Sequence, residues 1–564
     1  MDGLQRRLDE VRAGSTELEN HLIDELAAGR LTRREFVRRG TVLGMSTAVL
    51  SVIAAACGKS STSTGTSSAG TGTVRKGGAM TVGIVAPSGA IDPLTVADEG
   101  GLAVLGQAGE YLTWSDKDLK LSGVLAESWS PNADASVWTF KLRQNVTFND
   151  GTPMKAADVV ATFKAHSDPK GKSNALSNFS GVLTPDGVQQ VDDSTVAFHL
   201  EAPNGNFPYL VSSDNYNTII LPASYDYGGK YEQKFAGTGP WKMTSFKTGA
   251  EVAFAKNPSY WQASAGLPVL DTLTLKFYPD EQPEVLALQS KGLDVVSHFD
   301  ASSGQQLFNN PSVTVLELPS SAHRQVHMRT DKEPFTDKRV RQAIALLLDR
   351  PGLVQGLFSG KAKVGDDSPF APIFPSSDTS VPQRSQNLDQ AKALLAAAGK
   401  QGGFTVTLET WKGFEIPLLA QAIADAASKV GVTIKPHITD AGTYYGDAVF
   451  GKSPWLDSTM GITDYGHRGV PNVFLGAPLT STGTWNAAHF KNAQYDSLVK
   501  QYVAAVDLSS QRAVAKQIET LLLDETPIIF PYFYSHLSAT QKNVANTEPT
   551  AMGHIRMLRA GFTS

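Results

Sequence analysis

The 564-residue chain holds a single thiol, and the residues around it point to the first chemistry the sequence can do. Cys57 follows the small residues Ala54, Ala55 and Ala56, which close an apolar run that begins at Gly40. This setting resembles a lipobox, in which the cysteine sulfur is acylated and the peptide bond before it is cut. The leucine usual three positions earlier is Ala54 here, so plain cleavage after Ala-x-Ala stands as an alternative, and a buried core cysteine as another. Upstream, Arg33 and Arg34 in "TRREFVR" resemble the paired arginines that a twin-arginine translocase reads. At about 17 residues the apolar run is at or under the minimum for spanning a bilayer, so it reads as the core of a signal peptide. The Ser/Thr/Gly tract from Gly58 to Thr73 reads as a flexible tether. Together these features predict a lipid-anchored body on the outer face of a bacterial membrane, in the periplasmic or cell-envelope space. Two or more acyl chains hold such a body firmly, whereas one holds it marginally. Residues 1–30 carry an amphipathic pattern (Leu18, Leu22, Ile23, Leu26) and read as a short helix discarded with the signal.

Composition narrows the rest. The chain has 50 Lys and Arg against 55 Asp and Glu, a formal net charge of −5. Removal of residues 1–56 takes eight of each sign and leaves that balance unchanged. A nucleic-acid partner calls for a basic face, so none is expected. The length exceeds what one hydrophobic core supports, which predicts several lobes. With Cys57 alone, no internal disulfide can form, and stability must come from core size.

The elements that must position any site are legible in places. Alternation of apolar and polar residues predicts strands at Met80, Val82 and Ile84, at Val196, Phe198 and Leu200, and at Leu273, Leu275 and Phe277. Trp138, Phe140 and Leu142, followed by Val146 and Phe148 across Gln144-Asn145, read as a hairpin. Helices are predicted after Asp337 (Val340, Ile344, Leu347, Leu348), from Pro417 to Gly431, and from Ser509 or Ser510 (Val514, Ile518, Leu521, Leu522) to just before Pro527. The glycine and proline of "NDGTP" (Gly151, Pro153) suit a tight turn. The result is a mixed α/β chain of several lobes.

Five segments, in order along about 480 residues, resemble the extracytoplasmic solute-binding proteins of the dipeptide, oligopeptide and nickel type that serve ABC importers. They are Leu125–Lys164, with its LAESW start and F-x-DGTP turn, Gly237–Trp261, Glu333–Ala362, Trp485–Gln501 and Leu521–Phe533. The resemblance implies a two-lobe α/β periplasmic-binding-protein fold with a hinge and an extra small domain, of the type II, cluster C kind. It places lobe I at residues 78–120, 221–318 and 528–564, the extra domain at 121–220 and lobe II at 319–527. It implies a monomer that closes on a small molecule or peptide and presents it to an ABC permease and ATPase, with no catalytic residues, cofactor or metal.

The resemblance also nominates ligand contacts. In peptide-binding members an Asp that begins a D-Y-x-x-P-like segment pairs with the ligand ammonium, and Asp464-Tyr465 matches that position. An ammonium enclosed in a water-poor cleft needs such a partner, because an unpaired buried ion is very costly. Ile462 and Thr463 belong to the strand expected beside the ligand. Tyr445, Trp485 and Asn486 are expected at the cleft, with Tyr444 and Trp455 as further aromatic candidates. Five residues, Gly466 to Val470, stand before Pro471 where the D-Y-x-x-P pattern has two, and Arg468 among them could meet a carboxylate. His323 and His327 share a strand face by even spacing but make a weak metal pair. A metal chelate, sugar or opine remains the alternative cargo. An exported hydrolase is the alternative of another class, although the sequence has no G-x-S-x-G, H-E-x-x-H, phosphate-loop or dinucleotide fingerprint.

Overall fold

The computed structural model describes residues 74–563, apart from 228 and 229. Arg33, Arg34 and Cys57 therefore lie outside the described residues. Two large sheets organise the body. The first runs, in spatial order, Val313–Leu318, His536–Gln541, Val295–Phe299, Ala79–Val85, Thr272–Tyr278, Glu251–Lys256 and Trp241–Lys247. At its centre Ala79–Val85 pairs in parallel with Thr272–Tyr278 and Val295–Phe299, and Met80, Val82 and Ile84 are buried, as their alternation requires. Helices Glu99–Ala108 and Glu281–Gln289 pack beside it, each opened by an aspartate. Asp98 accepts from Gly101 N at 2.8 Å and Asp280 from Gln282 N at 3.0 Å, satisfying backbone donors that a helix start leaves free.

The second sheet runs Ala362–Val364, Tyr532–Tyr534, His323–Met328, Met460–Tyr465, Thr405–Trp411 and Thr433–Thr439, with Ile528–Ile529 also paired to His323–Met328. Helix Lys338–Ala345 starts at Asp337 as predicted and buries Val340 and Ile344 completely. Full burial of such side chains contributes about 1.5–3 kcal/mol each. Helix Ile416–Ser428 has Pro417 in its first turn, and helix Leu508–Glu525 is capped by Asp507, one to two residues before the predicted start. A third, antiparallel sheet of Ala126–Pro131, Val137–Leu142, Thr195–His199 and Val188–Asp192 forms the small domain around Phe140, Phe163 and Phe198.

Two expectations change. Val146 and Phe148 do not form a hairpin with Val137–Leu142, because both edges of that strand are taken by Ala126–Pro131 and Thr195–His199. They fold instead against Thr152 and Met154 around Gly151, whose φ of 93° only glycine adopts easily. The return to the first lobe also falls later than residue 528, since Ile528–Ile529 and Tyr532–Tyr534 belong to the second sheet. The chain crosses between the lobes twice, from Leu318 to His323 and from Tyr534 to His536. These paired crossovers form the hinge of a two-lobe binding-protein fold. Among the described residues no helix is long and apolar enough to cross a membrane.

Candidate functional site

Strand Met460–Tyr465 lies against His323–Met328, with Asp464 opposite Arg324 and Tyr465 opposite His323. Ile462 is fully buried in the lobe core, while Asp464, two residues on along the same face, is half-buried. The Asp464 carboxylate accepts a hydrogen bond from the Tyr445 hydroxyl, which also lies 3.0 Å from Thr463 Oγ1. Among the described residues Asp464 is in no ion pair.

Arg324 has an occupied charge. Its guanidinium contacts Glu415 at 2.9 and 3.0 Å, and the two side chains are 2% and 11% exposed. Burial opposes the arginine charge, but the Tyr534 hydroxyl and the Glu415 carboxylate hold it cationic. The same guanidinium lies over the rings of Tyr534 and Phe414, 4.6 and 4.9 Å from their centroids. Tyr532 completes the group by donating to Glu415 at 2.6 Å. Asp464 is the carboxylate in this group that is in no ion pair, although it stands opposite Arg324 in the strand pair and adds to the field that holds that arginine cationic.

Aromatic rings lie near Asp464. Tyr445 meets Trp411 and Trp455 with centroids 6.1 and 5.3 Å away, and Tyr465 meets Trp485 at 6.0 Å while stacking on His323 at 5.5 Å. Tyr465 Oη and Trp411 Nε1 are buried with no protein partner. Such donors are expensive to leave unpaired, and a polar ligand can satisfy them.

The other nominated residues have different surroundings. Asn486 is buried and its amide is fully used within its own loop, donating to Thr480 O and Phe490 O and accepting from Phe490 N. Ile462 offers no side chain to a ligand; its carbonyl accepts from Thr410 Oγ1 at 2.8 Å. Tyr444 and Trp455 are core residues, whereas Trp485 is half-buried. Arg468 is half-buried and, among the described residues, in no ion pair. Its backbone is tied to the Leu318–His323 crossover, donating to Ser321 Oγ at 2.9 Å and accepting from it at 2.8 Å, and its guanidinium donates to His467 O. Arg468 lines a small cavity with Tyr209, Asp214 and Asn215 of the small domain. Burial raises the Asp214 carboxyl to about 7 despite that arginine charge. Gly469 allows this approach, because a Cβ there would sit 1.8 Å from Asp214 Oδ2. His323 and His327 bond to Ser321 O and Ser458 Oγ, and burial pushes both down to about 3, so they stay neutral.

Arg324, Glu415, Trp411, Phe414 and Tyr534 were not nominated by sequence. Arg324 and Glu415 are 91 residues apart, one on strand His323–Met328 and the other at the start of helix Ile416–Ser428.

Comparison with known proteins follows the same lines. The sequence profile of "Bacterial extracellular solute-binding proteins, family 5 Middle" matches residues 120–467, and the chain belongs to this family. The chain is 27% identical over 464 residues to the glutathione-binding protein GsiB of Pectobacterium atrosepticum, covering 80% of this chain and 88% of that one. It is 26% identical over 538 residues to the oligopeptide-binding protein AppA of Bacillus subtilis, covering 90% and 96%. The structure of HbpA2 from Haemophilus parasuis superposes with a TM-score of 0.76 at 22% identity, over 86% of this chain and all of that one. The chain is thus an extracytoplasmic solute-binding protein, and the hydrolase alternative falls away with the family assignment.

Proposed function

We propose that the protein is a membrane-anchored receptor that captures a peptide or peptide-like amine in the cleft between its lobes and delivers it to an ABC import permease and its ATPase. The observation that carries the ligand class is Asp464, a half-buried carboxylate in no ion pair among the described residues, oriented by Tyr445 and with aromatic rings nearby. GsiB and AppA are named for glutathione and oligopeptide binding, which agrees with an amine-bearing ligand. Ligand stabilises the closed state through contacts with both lobes that the open state cannot make. Tyr465, Thr463, Tyr445 and Trp485 would line the ammonium end.

Titration with glutathione and a series of alanine peptides, free and N-acetylated, tests this reading. Asp464→Asn keeps size and hydrogen bonding but removes the charge. Truncating one member of an enclosed charge pair costs on the order of 2–5 kcal/mol, against at most about 1 kcal/mol for an exposed pair. The variant should bind the best free-amine peptide at least tenfold more weakly, with an unchanged melting temperature in the absence of peptide. Normal binding, or a large loss of ligand-free stability, would make Asp464 a structural residue. Anchoring rests on the Ala54–Cys57 sequence and the twin arginines, and Cys57→Ala should move the protein out of the membrane fraction or leave it as precursor. Fractionation identical to that of the native chain would remove the lipid anchor from the proposal.

A further inference from the structure

A second cluster stands on lobe I beside the hinge. His298 ends strand Val295–Phe299 but for one residue, His536 is the first residue after the return crossover, and Glu99 opens helix Glu99–Ala108. The two imidazole rings stack, with centroids 4.1 Å apart and planes 16° from parallel. Glu99 Oε2 lies 2.6 Å from His298 Nδ1. One ligand atom from each of the three residues lies within 4.8 Å of the other two. Zinc holds imidazole nitrogen at about 2.0–2.1 Å and carboxylate oxygen at about 2.0–2.2 Å, so donors on one ion stand up to roughly 4 Å apart. Closing the set on one ion requires the stacked rings to turn out of parallel so that both lone pairs aim at one point.

One further observation favours an ion over a simple histidine–glutamate pair. Glu284, on the helix that also carries Glu281, is fully buried with no hydrogen-bond partner for either carboxylate oxygen. A cation nearby would offset the cost of that unpaired group. Glu281, whose Oε1 is 3.9 Å from His298 Nδ1, is fixed by accepting from Asp300 N at 2.8 Å and would support the ion from outside its first ligands.

We propose that His298, His536 and Glu99 bind one divalent cation of the zinc class on the lobe I side of the cleft, with the remaining coordination position open. Imidazole donors select such ions over magnesium and calcium. Binding displaces the proton that His298 shares with Glu99, which leaves to solvent, and no other bond changes. The site uses no lobe II residue, so it stands whether or not the peptide reading holds.

The test is calorimetric titration of the EDTA-treated protein with zinc chloride, without peptide and with magnesium chloride as control. One equivalent of zinc should bind with micromolar or tighter affinity, and magnesium should not. His298→Gln and His536→Gln should each weaken zinc binding at least tenfold, and Glu99→Gln should weaken it measurably. His437→Gln, at an exposed histidine 2.6 Å from Glu409, should leave it unchanged. Melting curves identify any variant that has lost its fold, in which case Glu99→Gln, at the half-exposed member of the set, decides. No zinc uptake at 100-fold over the micromolar range, or uptake indifferent to His298, His536 and Glu99, would overturn the proposal.

Discussion

The two sides of the hinge solve the placement of charge in opposite ways. On lobe II the charges are sorted: Arg324 and Glu415 neutralise one another at 2.9 Å under aromatic rings, which leaves Asp464 as the carboxylate of this group in no ion pair. On lobe I they are pooled, with His298 held between Glu99 at 2.6 Å and Glu281 at 3.9 Å and Asp300 close by. Burial would discharge His298, yet Glu99 wins and raises it to about 10. On lobe II His323, His327 and His467, for which no acid offsets the burial, are pushed to about 3. His298 is cationic, and His323, His327 and His467 are neutral, because of their neighbours alone. A sorted wall discriminates by a single charge, whereas a pooled wall can exchange a proton for an ion.

The comparison breaks most sharply at Arg324. Arg324→Met keeps much of the stem volume but leaves the Glu415 carboxylate, 11% exposed, without its cation. Removing one partner of a buried ion pair costs about 3–5 kcal/mol. Urea unfolding should show a loss of that size, and the double variant with Glu415→Gln should recover most of it. A loss below about 1 kcal/mol would mean that the pair behaves as an exposed one and that lobe II is not sorted.

The neutral imidazoles give a smaller, pH-dependent effect. His467 Nδ1 accepts from Ser321 N at 3.0 Å, a bond that joins the Gly466–Val470 loop to the first crossover. Burial, with the Arg468 charge adding to it, lowers His467 to about 3. The folded state thus binds fewer protons than the unfolded chain below the ordinary histidine value of about 6.5. Its contribution to stability is complete above that value and declines as the pH falls toward 3, by at most about 1.4 kcal/mol per pH unit for one proton. His467→Gln should flatten the acid limb of a stability profile between pH 6 and 4. An unchanged slope would show that the fold does not hold this imidazole neutral.

What the sequence could show follows from the range of the forces involved. Helix Lys338–Ala345 and its Asp337 cap depend on neighbours three or four residues away, so periodicity finds them. The Val146–Phe148 segment reads as a hairpin arm because alternation cannot tell which strand will occupy the adjoining edge. Asp464 is visible through a family resemblance. Its setting is not: Arg324 and Glu415 meet across 91 residues, and His298 and His536 come together only when the chain has crossed the hinge twice. Asn486 shows the converse case, since an asparagine beside Trp485 looks like a ligand contact until three bonds to its own loop account for its amide.

The smallest effect belongs to Tyr445, and it is the most specific for the division between the walls. Its hydroxyl bonds Asp464, while its ring packs on Trp411 and Trp455. Tyr445→Phe keeps the ring and deletes the bond. A hydrogen bond of this kind contributes about 0.5–1.5 kcal/mol net, and somewhat more to a charged acceptor. If Asp464 receives a ligand ammonium, loss of the hydroxyl frees the carboxylate to rotate, and peptide affinity should fall roughly two- to tenfold with little change in melting temperature. Zinc affinity should not move, because Tyr445 belongs to the other wall. Coupling between the two substitutions decides the matter: combined with Asp464→Asn, Tyr445→Phe should add almost nothing to the loss of peptide binding, since both act through one carboxylate. Fully additive losses would mean that Tyr445 touches the ligand on its own account and that Asp464 is not held in place by it.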